Sequence, residues 1–162
     1  MNPTEIRDRI RERIAPAILE YGFRGRSSTF SRDVGDVSHL IQIQASSANS
    51  TDGSRFTVNV AVWVRALSAE PRATVVGAHW NRRLGDLGPE RTDLWWQAND
   101  LAMADEAASD MSKRVRLFAI PALDQLTSSS DLLALWRSGK SPGLTAVQAD
   151  RFRRQLEKLG EA

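Results

Sequence analysis

Between residues 56 and 64 the chain alternates without a break. Phe56, Val58, Val60, Val62 and Val64 are bulky and apolar, with Thr57, Asn59, Ala61 and Trp63 between them and Arg65 next in the series. A period of two puts the two sets on opposite faces of an extended strand. β-Branched and aromatic residues suit such a pleated surface. One face must therefore meet an apolar layer, and the other is left with amide, hydroxyl and indole groups. An antiparallel sheet with helices on one side satisfies both demands.

The flanking segments supply the neighbours. Residues 28–34 read as a strand, Gly35-Asp36 as a turn, and Val37–Ala45 as the partner strand. Residues 46–54 are small or polar and read as a loop. A long connection runs over 66–77, and residues 78–84 and 94–98 read as the fourth and fifth strands, joined by the turn-rich Gly85-Asp86-Leu87-Gly88-Pro89.

Helices are expected on both sides of the sheet in sequence. Asn2 caps the first, Pro3 suits its first position, and Glu5 lies three residues after the cap. Ile6, Ile10, Ile14, Ala17, Ile18 and Tyr21 form one stripe at about 100° per residue. Leu19 lies off the stripe, Pro16 falls opposite it, and Gly22-Phe23 ends the element with a turn and an apolar contact. Past Asp100, Met111, Val115, Phe118 and Ala122 mark a helix that Pro121 should kink or end. Ser130 is placed to cap a short helix through Trp136 that stops at Gly139. Thr145-Ala146-Val147-Gln148 is a capping box opening a last helix, with Ala149, Phe152, Leu156 and Leu159 inward.

The expected architecture is α+β: an antiparallel meander of four to five strands, with an N-terminal helix and C-terminal helices packed on one face. It is read as one domain over 1–162, with a helix at 2–22, a sheet region at 28–99 and a helical part at 105–160. The chain has 162 residues, enough to bury a core without cross-links. It has no cysteine, which excludes disulfides, thiolate catalysis and Cys-ligated metals. The N-terminus has no apolar signal core, and no stretch approaches the ~20 apolar residues of a membrane span. A cytoplasmic protein with no membrane contact is expected. Net charge is only +2, and the basic residues are 19 Arg and 3 Lys, an arginine-rich composition rather than one clustered basic face.

Gly22-Phe23, Thr29-Phe30-Ser31-Arg32, Ile41-Gln42-Ile43-Gln44, Phe56-Thr57-Val58-Asn59-Val60, Arg83-Leu84-Gly85 and Trp95-Trp96 occur in that order. The set resembles the bacterial family called domain of unknown function 4304, over roughly residues 4–125. The resemblance implies an α+β fold with an antiparallel sheet, and it carries no activity and no catalytic residues.

Short motifs add little chemistry. Residues 134–141 match a loosened phosphate-loop pattern with Ala134 for the first glycine, but they follow a helix rather than a strand, and Pro142-Gly143 comes next. Gly139-Lys140-Ser141-Pro142-Gly143 spells a nucleophile elbow without the strand-to-helix turn that motif needs. His39 and His79 show no metal-ligand spacing and read as structural histidines, and no carboxylate pair shares a strand face. No cofactor, metal or catalytic residue is assigned.

The polar sheet face is the feature that points to function. By parity Gln42 and Gln44 oppose Ile41 and Ile43, so they share the face of Asn59, Trp63 and Arg65. Amide groups beside an indole anchor suit a protein partner or ligand. A non-catalytic binding module is therefore expected, with Gln42, Gln44, Asn59, Trp63 and Arg65 as its contact residues. The alternatives are nucleic-acid binding through Arg82-Arg83, Arg151, Arg153 and Arg154 with exposed Trp, and an enzyme built on His39 or His79.

Overall fold

The structure, a computed structural model, describes residues 2–49, 53–139 and 146–160, without the side chain of Arg26. Helix α1, Pro3–Leu19, begins as its capping pattern predicts: Asn2 Oδ1 accepts from Thr4 N at 2.9 Å, and Pro3 needs no donor in the first turn. Ile6, Ile10, Ile14, Ala17 and Ile18 are buried, and Leu19 is exposed. Gly22 then adopts φ +86°, a left-handed conformation that costs glycine nothing, and Phe23 folds into the core behind it.

Six strands follow: β1 Arg24–Arg26, β2 Thr29–Val34, β3 Val37–Ala45, β4 Arg55–Val64, β5 Trp80–Arg83 and β6 Trp96–Gln97. All pairings are antiparallel, in the order β1-β2-β3-β4-β5, with β6 beside the start of β4. The fourth and fifth predicted strands are present but shorter than 78–84 and 94–98. The turn-rich segment between them opens as a helical turn, α2, Leu84–Leu87. β1 is an addition: Arg24-Gly25-Arg26 carries no apolar residue, so no alternation announces it. A Cβ on Gly25 would stand 2.3 Å from the Phe30 ring, so glycine is what lets this strand lie beside β2.

The inward face of the sheet carries Phe30, Ile41, Ile43, Phe56, Val58, Val60 and Val62, all buried in one core with the α1 stripe. The same core takes Ala104, Ala107, Ala108 and Met111 from α3, Leu101–Arg114, whose cap Asp100 accepts from Met103 N at 2.8 Å. α1 and α3 are further joined by Arg9, which donates to both carboxylate oxygens of Asp105 at 2.7 and 3.1 Å.

Pro121 does not end this helical run. A π-turn, Val115–Ala119, intervenes, in which Ile120 N bonds back to Val115 O, and α4, Ile120–Asp124, continues. The wider turn inserts one residue, so the apolar stripe slips. Ala119, Ile120 and Leu123 are buried, while the predicted core residues Phe118 and Ala122 are only half-buried.

α5, Ser129–Arg137, is capped by Ser128 rather than Ser130: Ser128 Oγ accepts from Asp131 N at 3.2 Å. Ser129 is held by Asp36 of the β2–β3 turn, which fixes the helix start two residues earlier than a Ser130 cap would. In α6, Ala146–Gly160, Ala149, Phe152 and Leu156 are buried as predicted, but Leu159 is 51% exposed because the helix runs past the last residue it packs on. Thr145, the cap of the predicted capping box, and residues 140–144 lie outside the described residues. No helix among the described residues is long and apolar enough to cross a membrane.

Gly85 sits where α2 meets the chain leading into β6. A Cβ there would stand 2.3 Å from the Thr92 carbonyl oxygen and 2.5 Å from Leu94 Cβ. Gly85→Ala should therefore lower stability by about 1–3 kcal/mol, read as a reduced urea midpoint at unchanged m-value.

Candidate functional site

The second face of the sheet carries a small apolar cluster to which, among the described residues, no helix contributes. On β3 it presents Ser38, Leu40, Gln42 and Gln44; on β4, Thr57, Asn59, Ala61 and Trp63, with Ser38 opposite Trp63, Leu40 opposite Ala61 and Gln42 opposite Asn59. This register unites three of the residues expected at the site. Asn59 Nδ2 donates to Gln42 Oε1 at 3.1 Å and to Gln44 Oε1 at 2.7 Å. Asn59 Oδ1 and Gln44 Nε2 have no partner among the described residues. β5 adds Asn81 and Arg83, the latter opposite Asn59.

Trp63 is placed differently from an exposed anchor: it is 3% exposed. The connection between β4 and β5 folds back over the outer face, and its Val75 closes a small apolar cluster with Leu40, Ala61 and Trp63. Asn81 Nδ2 donates to Val75 O at 3.2 Å and holds this strap down. The clue was in the sequence: Leu40, Ala61 and Trp63 share a parity, so this face is apolar at one end. Arg65 also departs from expectation. It leaves the strand and opens a 3-10 turn, Arg65–Leu67, where it is exposed.

Two cavities lie along the strap. One, of about 680 Å³, has Leu40, Trp63 and Val75 at its base, the hydroxyls of Thr29, Ser31 and Ser38 beside them, and Arg24, Arg65 and Arg72 among its lining. The other, of about 530 Å³, contains the Gln42–Gln44–Asn59 cluster with Asn81, Arg82, Arg83 and Asp86. Gln42 and Val75 belong to both. All five expected site residues therefore line one or the other cavity. Arg24, Arg72 and Val75 were missed, because only the folded strap and the unannounced β1 bring them here.

The far end of the face is closed by residues 92–95. Thr57 Oγ1 donates to Leu94 O at 2.8 Å, and the Trp95 ring has the guanidinium of Arg83 at 5.0 Å and that of Arg55 at 5.8 Å. The adjacent Trp96 turns inward to the core, its Nε1 donating to Asp110 at 2.8 Å. Trp95 immediately precedes β6, and the two tryptophans take opposite sides there.

The family model described as a domain of unknown function, DUF4304, matches residues 14–125. The chain belongs to this family. No curated protein and no solved structure matches it. The DUF4304 match takes in the whole sheet and both outer-face cavities, and stops short of α5 and α6.

In this DUF4304 chain both histidines are buried and neither lines an outer-face cavity. His39 Nδ1 accepts from Arg32 Nε at 3.1 Å, so the proton is on Nε2, 2.7 Å from Leu126 O. His79 Nδ1 accepts from Val64 N at 2.9 Å, and its ring meets Phe152 of α6 edge-on. It thereby fastens the strap at its β5 end.

Burial, with a smaller push from Arg151, lowers the His79 pKa to about 4, against the backbone bond to Leu67 that favours the charged ring. The folded state thus prefers the neutral ring. Its contribution is complete above the unfolded value of 6.5 and is lost as pH falls from there toward 4. Wild type should lose up to about 3 kcal/mol over this window relative to His79→Asn, which keeps an acceptor for Val64 N–H but does not titrate. Urea unfolding of both proteins between pH 7 and pH 4 measures the difference.

Proposed function

We propose that this protein is a non-catalytic binding module that receives a partner on the outer face of its sheet. The carrying observation is the pair of adjoining cavities along the strap, with unmatched amide groups in one and cationic side chains in the other. Binding sites combine an apolar base with a few polar groups that fix orientation, and both are present here. The interior positions of His39 and His79 favour binding over histidine-based catalysis. The α6 arginines offer less to nucleic acid than their number suggests: Arg153 and Arg154 both pair with Asp150, and Arg151 lies over the Phe152 ring.

The test is capture from native-cell extract by tagged wild type, by Gln44→Ala/Asn59→Ala on the outer face, and by Arg7→Ala/Glu106→Ala on the helical side, with folding checked by circular dichroism. Recovery of the partner should drop at least tenfold for the outer-face variant and stay unchanged for the helical-side one. Equal recovery by all three would show that partners bind elsewhere.

A further inference from the structure

The arginines of this chain are not alike in what they touch. Arg7, Arg9, Arg13, Arg32, Arg83, Arg114, Arg116, Arg137, Arg153 and Arg154 form ion pairs with neighbouring carboxylates. Arg11, Arg55 and Arg151 lie over aromatic rings, and Arg82 donates to Asp86 O. Among the arginines with described side chains, this leaves Arg24, Arg65, Arg72 and Arg91 with no ion pair, side-chain hydrogen bond or ring contact. Three of these four line the same groove. All three are exposed, although the charge of Arg65 is felt by Asp36. Among the described residues the groove is lined by one acid, Asp33, and that carboxylate accepts from Ser38 Oγ at 2.6 Å.

We infer that this groove takes an extended acidic peptide segment of a partner protein, with carboxylates on Arg24, Arg65 and Arg72 and one apolar side chain against Pro71 and Ala73 of the strap. The inference rests on the outer face being the binding surface and adds what binds there. Arginine's fixed fork of donors matches carboxylate geometry, and three unpaired forks around one groove form a complementary field.

Shape selects a peptide over a small molecule. The rim residues Arg24, Gly25, Ser27, Pro71, Arg72 and Thr74 are exposed, so the groove is an open trench that cannot enclose most of a small ligand's surface. Its β2 wall, from Thr29 to Asp33, is about 13 Å long, the reach of about four extended residues. Thr29 and Ser31 hydroxyls on that wall can bond a peptide backbone. Single-stranded nucleic acid fits less well, since it needs an aromatic face on which to stack a base, and Trp63 is covered to 3%.

The test is fluorescence anisotropy with labelled synthetic decapeptides: one glutamate-rich with a central leucine, one with every glutamate changed to glutamine, and one with the leucine changed to serine. Oligodeoxythymidine of equal charge is the nucleic-acid arm. The acidic leucine peptide should bind, with each altered peptide at least tenfold weaker and the oligonucleotide weaker still. Arg65→Ala/Arg72→Ala should weaken the acidic peptide at least tenfold, while Arg91→Ala, removing the unpaired arginine outside the groove, leaves it unchanged. Both substitutions are at exposed positions, and Arg65→Glu/Arg72→Glu should bind the lysine counterpart of the peptide in place of the glutamate one. No binding of the acidic peptide, equal binding of the glutamine peptide, or tighter binding of the oligonucleotide would overturn the inference. Loss of partner capture by Gln44→Ala/Asn59→Ala together with no acidic-peptide binding would retain the outer face and reject its acidic occupant.

Discussion

Strand β4 is the member on which every other element registers. All of it but Arg55 pairs with β3, from Val37 opposite Val64 to Ala45 opposite Phe56. Its other edge is shared by β5, at Asn59 to Val62, and β6, at Arg55 and Phe56. A strand saturated on both edges leaves few backbone donors unpaired, and its alternation then dictates the two surfaces. The valines face the α1 and α3 stripes, Asn59, Ala61 and Trp63 face the strap, and Thr57 faces residues 92–95. A slip of one residue would send the valines to the polar side, so the core itself fixes which groups the outer face displays.

Two apolar clusters of unequal size result. The larger joins the inner face to the helices; the smaller is Leu40, Ala61, Trp63 and Val75 on the outer face. The small cluster holds only a strap, and it does so with one buried residue, Val75, between neighbours that are exposed or half-buried. Val76 beside it is 99% exposed. The connection is therefore secured by a few discrete fastenings: Val75 below, Asn81 from β5, and His79 on the end of β4.

Much of this was legible in the chain. The β4 alternation gave the strand within one residue, the isoleucine stripe gave α1, and the parity of Gln42, Gln44 and Asn59 put their amides side by side. What escaped had no local signature. β1 is Arg24-Gly25-Arg26, recognisable only because Gly25 clears the Phe30 ring. The π-turn before Pro121 moves the stripe by one residue, which a fixed helical period cannot represent. Ser128 wins over Ser130 as a cap because Asp36, distant in sequence, claims Ser129. Trp63 was assigned to the correct face, yet its cover comes from a connection folded back through Val75, Asn81 and His79, which no local pattern announces. Local period reports which way a side chain points, and only long-range contact decides what lies over it.

The sheet also works as a partition. Leu40 and Trp63 belong to the small cluster, and the strap reaches the large one only near its two ends, through Leu67 and through His79 against Phe152. Changes in residues 68–76 thus leave the helix-facing jigsaw untouched. A protein with this layout can alter the rim of its outer-face groove by drift or selection, one residue at a time, without first finding compensating changes in its interior. Variation on that face is decoupled from the requirement to stay folded.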